Sequence, residues 1–195
     1  MAITNLLISG KMRSGKTYTT AAIISRMEDK GYKVKHVSLA YWLKWLLARG
    51  YSRYDRPAMQ FMGSDIMRDF AGDYFGTKDF WINLMLADIE DWRKRGGFDF
   101  FICDDCRFAN EVKRLRENGF KVVRLKTTKE LQLSRGEEGD KATVNLDHPS
   151  EVALDEYENT GFFDLETEPN DSIDDMVNKI LDSLLNTQRI ENEKD

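Results

Sequence analysis

Eight consecutive residues, Gly10-Lys11-Met12-Arg13-Ser14-Gly15-Lys16-Thr17, satisfy the spacing G-x-x-x-x-G-K-[ST]. The chemistry such a run supports is phosphate binding. Its glycines let the main chain curl so that successive N–H groups point at phosphate oxygens, and a helix starting at its end adds partial positive charge. Lys16 is then placed for the β- and γ-phosphates of a nucleotide and the Thr17 hydroxyl for Mg2+, while Lys11 and Arg13 add charge nearby. The flanks agree. Residues 3–9 are apolar and β-rich, and residues 17–31 form a helix-length segment that closes on Gly31.

A second group of candidates is acidic. Asp104 and Asp105 end the apolar run Phe100–Cys103, where one carboxylate can hold the metal through water. A one-residue change of strand register exchanges the two faces, so periodicity leaves both open. No N-K-x-D run for guanine recognition is present, since Asn178-Lys179 continues into Ile180-Leu181, and ATP is the expected nucleotide. Phosphoryl transfer asks the protein chiefly to gather cations and align two substrates, and an anionic acceptor needs no general base. Arg68 and Arg107 suit a bidentate clamp on an acceptor phosphate better than lysines would. Arg135, in the polar, glycine-bearing stretch 128–147, is a candidate lid arginine or a solvated surface residue.

Other reactive residue types carry less. Cys103 and Cys106 form a C-x-x-C, but with only His36 and His148 elsewhere there is no second ligand pair for zinc, so both are expected to be small buried apolar groups. His148 precedes Pro149, which fixes an extended approach to a short helix holding Ser150 and Glu151; a role in orienting the loop is expected rather than proton transfer. The aromatic residues between Tyr41 and Trp81 are expected to serve the core more than to stack on a base.

Elements that alternate must position these residues. Strands are expected over 3–9, 33–40, 98–105, 120–127 and 162–168. Helices are expected over 17–31, 41–50, 79–95 and 108–119, and one begins at Ser172, where Asp175 completes a capping-box spacing. Residues 51–78, with Gly63, Gly72 and Gly76, read as short helices and loops covering a site. Alternation of this kind implies an α/β domain with a mostly parallel, five-stranded sheet flanked by helices in three layers. One domain spans 1–195, with an insert at about 40–80, a lid at about 127–147 and a frayed tail at about 188–195. The 195 residues carry 29 Lys plus Arg against 34 Asp plus Glu, a net charge of −5, which disfavours a dedicated nucleic-acid binder. No run approaches the roughly 20 apolar residues of a membrane span, and a cytoplasmic protein is expected.

Read together, LISGKMRSGKT, MQFMGSDIMRDF followed by Trp81, DDCRFANEVKRLRENGFKVVRL, HPSE, and Asn170-Asp171 before the last helix resemble the phage-type deoxynucleoside monophosphate kinases over residues 3 to about 185. The resemblance implies a P-loop kinase fold and transfer of the γ-phosphoryl group of ATP, with Mg2+, to a deoxynucleoside 5′-monophosphate for nucleotide supply; the alternatives are a related P-loop kinase acting on a modified base in phage DNA or on a phosphorylated metabolite such as phosphomevalonate, and an ATP-binding regulatory protein. The resemblance also implies a homodimer and, for a phage-encoded chain, the host cytoplasm. The family's Q-x-x-G-x-x-x-x-R falls on Gln60, Gly63 and Arg68, which would cover the acceptor, and D-x-R-F-x-N-E falls on Asp105, Arg107, Phe108, Asn110 and Glu111. On this pattern Asp105 is the metal-side acid, and Lys16, Arg107, Asp105 and Arg135 form the catalytic set. Lys44, Trp81, His148 and Glu151 join the acceptor site. The family's F-A-D-P-L-K-E stretch is matched here only by Leu43 and Lys44, and the lid base falls on Lys126 or Arg135.

Overall fold

A computed structural model describes residues 4–51, 55–135 and 148–192. Residues 52–54 of the expected insert, the second half of the expected lid, 136–147, and the end of the expected tail, 193–195, lie outside them. Five strands, β1 (Asn5–Gly10), β2 (Val34–Val37), β3 (Phe100–Cys106), β4 (Phe120–Leu125) and β5 (Leu165–Glu166), form one sheet in the order β2-β3-β1-β4-β5. Every pairing is parallel, as the alternation of strand and helix implies.

Strand β1 runs through the middle of the sheet and is buried along its whole length, which its continuous apolar sequence anticipates. Successive side chains point to opposite faces. Leu7 enters a core shared with Ile82, Met85 and Ile89 of the helix Phe80–Arg95 and Val112 and Leu115 of the helix Ala109–Glu117. Leu6 and Ile8 enter the other core, with Ile23 and Met27 of α1 (Lys16–Asp29) and Met176, Val177 and Ile180 of the helix Ile173–Asn192. Two helical layers therefore sandwich the sheet. At the start of the last helix, Ser172 and Asp175 exchange bonds as the capping-box spacing requires: Asp175 N–H donates to Ser172 Oγ, and Ser172 N–H donates to Asp175 Oδ2. Among the described residues no helix is long and apolar enough to cross a membrane.

The register of β3 departs from regularity where the chemistry is expected. Leu7 faces Cys103 and Ser9 faces Cys106, so three steps along β3 answer two along β1. This is a bulge, which adds one residue and re-aims the side chains around it. It explains why Cys103 and Cys106, three apart, are both fully buried in the same core as free thiols. It also frees Asp104 and Asp105 from a strict alternation of faces.

Three expectations are corrected. Residues 51–78 are more regular than a set of short helices and loops: α3 (Arg56–Gln60), a π-helical segment (Phe61–Phe70) and α4 (Ala71–Phe75) follow without a break, after α2 (Tyr41–Tyr51). The Asp55 side chain caps this run by accepting from Ala58 N–H, and Pro57 pre-sets its first turn. Gly63 does not interrupt it, because its role is close approach: a Cβ there would lie 2.6 Å from Leu43 Cδ2. Strand β2 stops at Val37 because Ser38–Ala40 turn aside to bond Asp105. The last strand shortens to two residues, preceded by Asp164, whose carboxylate accepts from Val122 N–H.

At the end of β1, a Cβ on Gly10 would lie 2.9 Å from the Leu125 carbonyl oxygen and 2.5 Å from Ser14 Oγ. Gly10→Ala is therefore expected to push β1 from β4 and lower stability by about 1–3 kcal/mol, seen as a lower urea midpoint at unchanged slope.

Candidate active site

Strand β1 delivers the chain into the glycine loop at Gly10, and α1 resumes regular structure at Lys16. Two residues between them turn left-handed, Arg13 at φ 61° and Gly15 at φ 95°. Such alternation curls the loop into a concave row of main-chain N–H groups. For Gly15 the conformation is free of penalty; for Arg13 it costs about 1–2 kcal/mol and must be held by its surroundings.

Inside the curl, Lys16 Nζ donates to the carbonyls of Gly10 and Lys11, both at 2.6 Å. Burial above all, then the Arg107 guanidinium, pulls its pKa down to about 7; Glu151 and Asp104 oppose this and Arg124 adds to it. Anionic phosphate would supply the charge partner that this ammonium lacks. Ser14 is buried below it, and its hydroxyl has no hydrogen-bond partner among the described residues.

The outside of the loop is braced. Met12 N–H donates to Glu151 Oε2 at 2.9 Å, and the Met12 carbonyl accepts from Gln132 Nε2 at 2.7 Å. Arg13 Nη1 donates to the Gln132 carbonyl, and Arg135 Nη1 donates to the Arg13 carbonyl, each at 3.0 Å. Lys11 pairs with Asp155 at 2.6 Å. Asp155 in turn accepts from Arg124, a buried arginine on β4 that also bonds Glu158 and Ser9 Oγ.

The two acids at the end of β3 diverge. Asp104 bonds His36 Nε2 at 2.8 Å. Burial alone would raise its pKa, but the His36 hydrogen bond and charge, the Thr20 hydroxyl and Lys16 together hold it below the usual carboxylate range. Asp105 accepts from Ser38 Oγ, Leu39 N–H and Ala40 N–H at 2.6, 2.9 and 3.0 Å, so both its oxygens are occupied with holding the chain between β2 and α2. Among the described residues no group of three or more His, Cys, Asp or Glu side chains is placed to hold a metal ion. A hydroxyl at the head of α1, Thr17, and an ionised Asp104 near Lys16 fit a hard cation that takes its remaining ligands from water and phosphate.

The helix α6 (Ala109–Glu117), which follows α5 (Phe80–Arg95), organises the side of the site beyond β3. Glu111 is buried and accepts from Arg107 N–H at 2.6 Å and Phe108 N–H at 2.9 Å. Burial raises its pKa to about 6, against the pull of those two bonds. With that turn fixed, Arg107 Nη1 lies 3.0 Å from both Glu151 oxygens, and the Phe108 ring lies under Arg68, whose guanidinium carbon is 3.5 Å from the ring centroid. Arg68 also bonds Asp69, and its Nε is buried without a partner among the described residues. Asn110 accepts from Arg68 at 3.5 Å and donates to Asp79.

These groups surround a cavity of about 420 Å³, a size suited to a small molecule. Its walls include Lys44, Gln60, Gly63, Arg68, Trp81, Arg107, Glu111 and Glu151. Trp81 donates its indole N–H to the Gly63 carbonyl and so fixes that wall. Two of the expected acceptor residues stand elsewhere. Asn110 is behind Arg68, and His148 caps the helix α8 (Pro149–Val152) by accepting from Ser150 N–H, the orienting role its sequence suggests. Of the two lid candidates, Arg135 reaches the tip of the loop, whereas Lys126 bonds Asn159 and Glu168. Sequence reasoning missed Gln132 and the network of Arg124, Asp155 and Glu158. Nothing in local spacing marks Gln132; a charged residue on an otherwise buried strand was the available sign for Arg124.

No protein-family model and no curated protein sequence matches the chain. Solved structures with a similar fold include the shikimate kinase from Acinetobacter baumannii in complex with shikimate, at 15% identity over 95% of this chain and 94% of that one, with a TM-score of 0.58. A gluconokinase from Sinorhizobium meliloti 1021 is similar at 15% identity over 99% and 98%, with a TM-score of 0.56. The shikimate kinase from Aquifex aeolicus is similar at 13% identity over 94% and 98%, with a TM-score of 0.55. The chain has the α/β fold that these P-loop kinases share.

A pH dependence follows from Lys16. With its pKa near 7 in the empty loop, the ammonium loses its proton as pH rises, and a phosphate must pull the proton back. The affinity for inorganic pyrophosphate is expected to fall between pH 7.5 and 9, by up to about tenfold per pH unit. Calorimetry in buffers of different ionisation enthalpy should show proton uptake on binding, and Lys16→Met should abolish both effects.

Proposed function

We propose that the chain transfers the γ-phosphoryl group of ATP to a deoxynucleoside 5′-monophosphate, acting on free nucleotides in the cytoplasm. The observation that carries this reading is the junction between the glycine loop and the cavity. Glu151 bonds the tip of the loop and Arg107 together, and both line the acceptor cavity. A donor phosphate in the loop and an anion in the cavity would meet at that junction.

In this reading an acceptor phosphate oxygen attacks the γ-phosphorus, and the bond from that phosphorus to the β–γ bridging oxygen breaks, leaving ADP. Residues Gly10 to Thr17 hold the donor, with Lys16 on its outer phosphates. Arg68 and Arg107 hold the acceptor phosphate, one over the Phe108 ring and the other at the loop. Lys44, Gln60 and Trp81 face the remainder of the acceptor. Thr17 and Asp104 would be the side-chain partners of Mg2+, which when bound would neutralise charge on the transferred group. Asp105, committed to Ser38–Ala40, acts as the brace of the cavity wall instead.

A second reading has one observation in its favour. A similar fold holds shikimate in the Acinetobacter structure, and paired arginines grip a carboxylate as well as a phosphate. The acceptor would then be a small hydroxy acid. ATP consumption measured against a panel of deoxynucleoside monophosphates and small hydroxy acids separates the two; turnover with an acid and none with any monophosphate would overturn the first.

Two variants probe the assignment of roles. Arg68→Lys should raise the acceptor KM by about ten- to a hundredfold, the value of a charged hydrogen bond, with the KM for ATP unchanged within about twofold. Asp104→Asn should raise the Mg2+ concentration needed for half-maximal rate, whereas Asp105→Asn should lower the melting temperature and leave that requirement in place. A metal requirement that responds to Asp105 alone would reverse the assignment.

A further inference from the structure

Gln132 lies on α7 (Lys129–Ser134), outside the cavity and outside the glycine loop, yet only 3% of its surface is exposed. Both of its amide systems are used on the tip of the loop. Its side-chain Nε2 donates to the Met12 carbonyl at 2.7 Å, and its own main-chain carbonyl accepts from Arg13 Nη1 at 3.0 Å. Among the described residues α7 contributes no side chain to either apolar core, so these bonds are a large part of what seats it.

We propose that Gln132 is a positioning residue that holds the tip of the phosphate-binding loop in its anion-ready curl. The proposal rests on the reading of Gly10–Thr17 as that loop.

The physical argument is the planarity of the peptide. In a trans peptide the carbonyl and the following N–H point in opposite directions. Drawing the Met12 carbonyl outward onto Gln132 therefore turns the Arg13 N–H toward the inside of the loop, where a phosphate oxygen would lie. The same residue secures the next position, because the left-handed Arg13 is tethered through its guanidinium to the Gln132 carbonyl. Arg135, one turn further on, takes the Arg13 carbonyl. From the opposite side Glu151 takes the Met12 N–H, so the tip is gripped between α7 and α8. Removing the Gln132 donor takes this partner from a half-buried carbonyl and lets that peptide rotate, while the arginine tether, which uses main-chain oxygen, survives.

The test uses the full chain and reads binding apart from turnover. Gln132→Met keeps the length of the side chain and removes the donor. It should weaken inorganic pyrophosphate and ATP, each measured by calorimetry, by about tenfold. The acceptor KM should stay within about twofold and the urea midpoint close to wild type. Gln132→Lys, which restores a donor, should recover pyrophosphate affinity to within about threefold, and Gln132→Glu, which sets a carboxylate against the Met12 carbonyl, should be weaker than Gln132→Met. Wild-type affinity in Gln132→Met overturns the proposal. So does a parallel loss of stability, acceptor binding and pyrophosphate binding that Gln132→Lys does not relieve, since that is the pattern of a purely structural residue. A wild-type chain that binds neither pyrophosphate nor ATP overturns the phosphate-loop reading itself.

Discussion

Three cations, Lys16, Arg107 and Arg124, are gathered at the carboxyl edge of a parallel sheet, where burial depresses the lysine and the two arginines add to it. Like charges brought together away from water must be offset, and much of the local structure is the means of offsetting them. Glu151 answers Arg107 and the loop, Asp155 and Glu158 answer Arg124, and Asp155 reaches on to Lys11. Both arginines are thus answered while the site is empty, and Lys16 Nζ bonds carbonyls. An incoming polyphosphate would meet donors that are already placed, which is what electrostatic preorganisation requires.

The same residues connect that edge to the neighbouring cavity. The bulge in β3 sends Asp104 toward His36 and Asp105 toward the chain after β2, so two neighbouring carboxylates serve two different walls. Immediately after them, Glu111 fixes the turn from which Arg107 and Phe108 project, and Phe108 supports Arg68. Each member of the D-x-R-F-x-N-E run thus has a physical task, and several of those tasks are to hold another residue rather than to touch a ligand. The uninterrupted helical run after Asp55 completes the enclosure, with Gly63 allowing Leu43 to close against it.

What could be read from the sequence was local. The run Gly10–Thr17 between an apolar strand and a helix, the continuous burial of β1, the capping box at Ser172 and the buried state of Cys103 and Cys106 all depend on neighbours within a few positions, where residue type and spacing dominate. Alternating strands and helices likewise implied the parallel sheet, because a parallel pair needs a crossover long enough to hold a helix.

Tertiary structure decided what depends on contacts through space. The different directions taken by Asp104 and Asp105 depend on one extra residue in β3, visible only once β3 lies beside β1. The glycines of the 51–78 region looked like breaks because a glycine lacks helical preference; in the fold Gly63 is where a helix and Leu43 approach too closely for a side chain. Gln132 acquires its role from a carbonyl 120 positions away, and no periodicity in one dimension can mark such a pairing. The sequence by itself determined that a glycine loop of G-x-x-x-x-G-K-[ST] spacing lies between a strand and a helix; the packed chain determined which distant groups hold that loop in shape, since a main-chain curl with a strained residue needs partners that only folding brings within hydrogen-bond reach.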